Sequence, residues 1–152
     1  MTLRELSLGP GWYPRQRDKI EEFLKPVLES GDFRSQDAFS AVAPHAGWYY
    51  SGLTAAIAVS SLDTRVETVA VIGGHLPKGM PVLVAQEEGV KTPLGIMEID
   101  RELRKEFEGQ LDIRPDNYND NTVEVLIPMV HYFFPQAKLL WLRFPAELSS
   151  FE

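Results

Sequence analysis

The chain has 152 residues, 44 % of them hydrophobic, which suits one globular domain, 1–152, or a fragment of one. Its 15 basic and 22 acidic side chains leave a net charge of −7, so the counterion release that drives nucleic-acid binding is missing and an anionic membrane surface is an equally poor partner; without cysteine, only imidazole and oxygen metal ligands remain. No window nears the ~18 consecutive apolar residues of a membrane span, and "MTLRELSLGPGWYP" lacks the basic-then-apolar order of a secretory signal, so a cytoplasmic location is expected.

The first element after "GPGWYP" is an amphipathic helix, "RQRDKIEEFLKPVLES", with Ile20, Phe23, Leu24, Val27 and Leu28 spaced by three and four and Gly31 as its stop. "DAFSAVAP" reads as a short buried strand halted by Pro44, and "LTAAIAVSSL" as a buried helix. "VETVAVIGG" has the β-branched continuity of a central parallel strand, "GGHLPKGMP" consists of turn residues, "VLVA" is a further strand, and "QEEG" suggests a hairpin. "TPLGIMEI" is extended in pattern, Asp100 can cap the helix "RELRKEFEG", and "LDIRP" is a brief strand leading into the loop "DNYNDN". "NTVEVLIPMVHYFF" is helical with a kink or late start at Pro128, and "KLLWLRF" is a second central strand. In "PAELSSFE" a proline suited to a first helical turn is followed by only a few residues, so the last element looks incomplete at the C-terminus. Strands and helices alternate, which predicts an α/β domain with a mostly parallel central sheet and helices on both faces.

If "DAFSAVA" and "VETVAVIGG" lie parallel, His45 and His75 both follow the carboxyl ends of their strands. That edge is where open α/β sheets bind ligands, because its loops present side chains from a fixed scaffold. Both histidines neighbour glycines, which allow close backbone approach. Neutral imidazole suits iron, zinc or copper, and two histidines with one carboxylate leave coordination positions open. The loop "DNYNDN" should emerge at the same edge, offering Asp116, Asp120 and Asn121, with Glu124 one turn on; Glu124 or Asp120 is the favoured third ligand. Two such histidines can equally serve as hydrogen-bond partners of turns.

Trp48, Tyr49 and Tyr50 either stack on a ligand at this edge or cover the sheet. His131, about a helix length away, is assigned to packing. Ser51 has no paired base in sequence, and "GGHLPKG" shares only glycines with a phosphate loop.

Taken together, "GWYP", "APHAGWYYSG", "VIGGH", "TPLG" and "NTVEVLIPMV" stand in the order and spacing of the MEMO family, the protein B component of the AmmeMemoRadiSam group, which the chain resembles over nearly its whole length. The resemblance implies a fold similar to class III extradiol dioxygenases and a metal site at which His45 and His75 match family histidines. It suggests iron(II) first, with copper or zinc behind it. Family members are described both as redox-active metal proteins and as peptide-binding signalling proteins.

Where the family reads an acidic residue, histidine, serine, an apolar residue and glutamate, this chain has Asp120-Asn121-Thr122-Val123-Glu124. Asparagine is a poorer transition-metal ligand than histidine and cannot act as a general acid or base. Two functions follow as expectations. The first is a MEMO-like metal-binding protein with iron-dependent redox or dioxygenase-type chemistry. The second is a non-catalytic module whose edge, with Trp48, Tyr49, Tyr50 and Asn121, binds a peptide, a small molecule or a partner protein. Family members are longer, and an apolar face at "KLLWLRF" predicts a homo-oligomer or a covering partner.

Overall fold

A computed structural model describes residues 1–31 and 38–146. The elements in chain order are β1 (Leu3–Glu5), α1 (Arg17–Ser30), α2 (Trp48–Ser60), β2 (Thr68–Leu76), β3 (Val82–Val84), β4 (Gly89–Thr92), β5 (Gly95–Glu98), α3 (Arg101–Glu108), β6 (Ile113–Pro115), α4 (Asn121–Glu124), α5 (Ile127–Phe133) and β7 (Lys138–Pro145).

The α/β class holds, and the central sheet expected to be mostly parallel is mixed, with two of its three strand pairings parallel. Among the described residues there are two mixed sheets, ordered β2-β7-β3-β6 and β1-β4-β5. In the larger, β2 and β7 run parallel from Thr68 opposite Lys138 to Gly73 opposite Arg143, while β3 is antiparallel to β7 and parallel to β6. Strand β3 reverses because the short turn "PKGM" returns the chain directly after β2, too short a link for a parallel crossover. The second correction concerns "DAFSAVA". Asp37 lies outside the described residues, and of the rest only Ala38 pairs, through an isolated bridge to Leu62.

The alternating side chains of β7 divide the core. Leu139 and Trp141 join Ile20, Leu24, Ala56 and Met129 from α1, α2 and α5 on one face. Leu140 and Leu142 meet Val82 and Val84, with Leu103 and Phe107 of α3 over them, on the other. Helices thus cover both faces, and the apolar face expected to stand open at "KLLWLRF" is instead buried, with β7 inside the sheet between β2 and β3. In α2 the approach to α1 is close enough that a Cβ on Gly52 would stand 2.9 Å from the Phe23 ring.

Asp100 caps α3 as expected, accepting from Leu103 N at 3.0 Å. Pro128 marks a late start: α4 ends at Glu124 and α5 begins at Ile127, with the proline in its first turn. The hairpin turn is "TPLG" rather than "QEEG": β4 and β5 pair from Gly89 opposite Glu98 to Thr92 opposite Gly95, whose φ of 132° a side chain would strain. The element expected in "PAELSSFE" lies outside the described residues beyond Ala146. No helix among the described residues is long and apolar enough to cross a membrane.

Candidate functional site

The site forms where β2 and β7 end. Register shifts between Gly73 and Leu76, and at this irregularity His75 takes a φ of 60°, the left-handed region that a non-glycine residue seldom occupies. Strand β2 therefore includes His75 rather than stopping before it. Gly73 permits the neighbouring helix to approach: a Cβ there would lie 2.6 Å from Val123 Cγ2 and collide with the Thr122 hydroxyl. The Gly74 amide donates to that hydroxyl at 3.2 Å, which ties β2 to the start of α4.

Helix α4 delivers Asp120 and Asn121 to the two histidines. Asp120 is its N-cap and accepts from Thr122 N at 2.8 Å and from the Thr122 hydroxyl. The other carboxylate oxygen lies 3.1 Å from His75 Nδ1 and 3.4 Å from Arg143 Nη1. Burial pushes the Asp120 carboxyl up, but the Thr122 hydroxyl and amide, the Arg143 guanidinium and His75 outweigh it and hold the group below the usual carboxylate range. The Asn121 amide nitrogen stands 2.8 Å from the His45 carbonyl oxygen and 3.1 Å from His45 Nδ1. The imidazoles of His45 and His75 approach edge to face, with centroids 5.0 Å apart and planes at 81°.

A buried ion pair underlies this edge. Arg143 Nε and Nη2 each donate at 2.9 Å to one oxygen of Asp116, and Trp141 Nε1 donates to the same carboxylate at 3.0 Å. The two-point geometry leaves Arg143 Nη1 free to reach Asp120. A largely apolar cavity of about 320 Å³ opens beside the two histidines; His45, His75 and Thr122 line it together with Val69, Val71 and Leu126.

His45, His75, Asp120 and Asn121 are thus brought together, and Glu124 is not. At 2 % exposure its oxygens accept from Ser7 N and Oγ at 2.8 Å, Leu8 N at 2.7 Å and Tyr13 OH at 2.9 Å, clamping the N-terminal segment to α4. Burial and the Glu124 charge push the Tyr13 phenol far above its usual range. Trp48 also leaves the edge, its indole donating to Val125 O at 2.9 Å within the core, whereas Tyr49 and Tyr50 are 90 % and 83 % exposed. His131 is buried with Nδ1 2.7 Å from Thr92 Oγ1, a packing role. Ser51 Oγ bonds Ala46 O at 3.4 Å, and that contact gives it no base.

Arg143 and Thr122 were absent from the sequence-derived site. The signal for Arg143 is a cation in the otherwise apolar run "KLLWLRF", since a charge within a central strand must be paired. Two imidazoles are of the ligand type that transition-metal ions take, and Asp120 stands behind one of them, His75. No group of three or more His, Asp or Glu side chains gathers to hold a metal ion among the described residues.

An α/β domain that presents two apposed histidines at the end of its sheet, backed by a helix-capping carboxylate, defines the class of site. The chain belongs to the Memo-like protein family, whose sequence pattern it matches over residues 4–145. It is 34 % identical to a MEMO1 family protein of Methanosarcina barkeri over 137 residues, 88 % of this chain and 51 % of that protein. A MEMO1 family protein of Pyrococcus abyssi is 34 % identical over 146 residues, 89 % of this chain and 49 % of that protein. One of Aquifex aeolicus is 25 % identical over 136 residues, 88 % of this chain and 51 % of that protein. The chain spans about half the length of these curated relatives.

Proposed function

We propose that the chain binds a transition-metal ion at the His45–His75 edge, iron(II) first and copper or zinc behind it. The observation that carries this reading is the edge-to-face approach of the two imidazoles at 5.0 Å, one of them oriented by Asp120. Bound there, such an ion would supply Lewis-acid and redox activation of dioxygen or of a substrate hydroxyl. The protein's own groups have separate tasks. Asp120 takes the Nδ1 proton of His75 into a hydrogen bond, which leaves the Nε2 lone pair for a ligand. The Thr122 hydroxyl and amide, with Arg143 behind them, favour the ionised form of Asp120 that this needs. The cavity walls of Val69, Val71 and Leu126 exclude water and accept the apolar body of a small ligand.

The test is cobalt(II), whose visible absorption reports its ligands. A one-to-one complex with the spectrum of nitrogen ligation, lost in His75→Ala, is the expected result. The spectrum of the hexaaquo ion in the presence of folded wild-type protein overturns the reading.

A second reading is a non-catalytic interaction module. It is favoured by Tyr49 and Tyr50, which pack edge to face at 5.2 Å yet face solvent on the first turn of α2 beside His45. Exposed Phe39, Val42 and Ile72 favour a homo-oligomer or a partner protein. Light scattering that gives a monomer at high concentration removes the homo-oligomer from this reading.

A further inference from the structure

Asn121 does more at this edge than fill a position at which the family pattern has histidine. Its amide nitrogen meets two atoms of one residue, the His45 carbonyl oxygen at 2.8 Å and His45 Nδ1 at 3.1 Å. A carbonyl oxygen only accepts, so the group facing it is the NH2 end of the amide, and the second N–H of that group points at Nδ1. A neutral imidazole carries one N–H and one lone pair. His45 Nδ1 must then hold the lone pair, and its proton resides on Nε2. His75 is held the opposite way: its Nδ1 faces the Asp120 carboxylate at 3.1 Å, which accepts only, so the proton is on Nδ1 and the lone pair on Nε2.

We infer that Asn121 is a positioning residue that locks His45 in the Nε2–H tautomer, opposite to His75, so that the metal-free pair presents one donor and one acceptor. The two rings approach edge to face at 5.0 Å, and this couple accepts a water or a neutral ligand group that both donates and accepts. It rests on the reading that the pair is the binding site, and it changes what a metal ion meets there. An ion gains the lone pair of His75 Nε2 at once. It gains His45 Nε2 only after the proton leaves that nitrogen, and a proton moved to Nδ1 would face the Asn121 N–H, donor against donor. An acceptor at position 121 removes that conflict at Nδ1, while giving up the bond to the His45 carbonyl.

The experiment is long-range 1H–15N correlation on histidine-labelled, metal-free protein above the imidazole titration range, for the wild type and for N121D. His45 as Nε2–H and His75 as Nδ1–H in the wild type, with His45 switching to Nδ1–H in N121D and His75 unchanged, is the expected result. Zinc titration should then show tighter binding to N121D by on the order of tenfold, the scale of effects from partners behind metal-bound histidines. Wild-type His45 as Nδ1–H, or a His45 tautomer indifferent to N121D in a variant with wild-type circular dichroism, overturns the inference. Tautomers as stated with no zinc bound by either protein uphold the role of Asn121 and overturn the metal reading instead.

Discussion

Arg143 grips Asp116 through two hydrogen bonds of 2.9 Å, one from Nε and one from Nη2, in a part of the sheet closed to solvent. This pair sits directly behind the histidine edge, because the third nitrogen of the same guanidinium reaches Asp120 at 3.4 Å and Asp120 in turn holds His75. The site is therefore anchored to the core by a charge chain that runs from strand β7 to the helix cap and then to the imidazole.

Removing the cation leaves the buried Asp116 carboxylate with Arg4, 3.9 Å away, as its remaining counter-charge. Arg143→Leu should cost about 3–5 kcal/mol of stability, the usual penalty for breaking one side of a buried pair. Urea denaturation measures it, and a loss near zero would show that Asp116 and Asp120 find other partners.

Asp120 and Glu124, four residues apart, are predicted to separate by function. Asp120→Asn should weaken metal binding by about 10–100-fold, since Asp120 stands behind His75. Glu124→Gln should leave metal affinity unchanged and instead destabilise the fold by about 1–3 kcal/mol, because an amide cannot accept all four of its hydrogen bonds from Ser7, Leu8 and Tyr13. Calorimetric affinity and denaturation midpoints for both variants check the division.

His131 links stability to pH. Burial, aided by the Arg17 charge, holds its imidazole below the ordinary value of about 6.5. The unfolded chain takes up the proton first as the pH falls, so this contribution is fully present above about pH 6.5 and is lost as the pH drops below it. Stability measured from pH 8 to pH 5 should decline across this window, and His131→Phe should reduce the slope; an unchanged slope would place the proton uptake elsewhere.

Gly73→Ala should destabilise by about 1–3 kcal/mol through overpacking against Thr122 and Val123, and should also move α4 enough to weaken the hold on both histidines. Thermal unfolding together with the His75 proton shifts tests both effects.

Much of this arrangement was legible in local pattern. The "RQRDKIEEFLKPVLES" helix, the Asp100 cap and the late start at Pro128 follow from spacing, capping and proline chemistry, which act within a few residues. The meeting of His45 with His75 also came from pattern, although the strand expected before His45 carries only one isolated bridge among its described residues. Glu124 defeated the sequence reading because its partners, Ser7, Leu8 and Tyr13, lie more than a hundred residues earlier, and nothing in "NTVE" announces them. The reversal of β3 was hidden in the same way: "VLVA" has the same apolar pattern in either direction, and only the turn before it records the reversal.

The central claim is that His45 and His75 share one metal ion. Anaerobic calorimetric titration of the chelator-treated protein with ferrous iron, alongside His45→Ala and His75→Ala, tests it most directly. One-to-one binding in the wild type that is lost in both variants is the predicted result. Wild-type protein that binds no iron, or variants that bind it equally well, would contradict the account and leave the histidine edge as a surface for a partner.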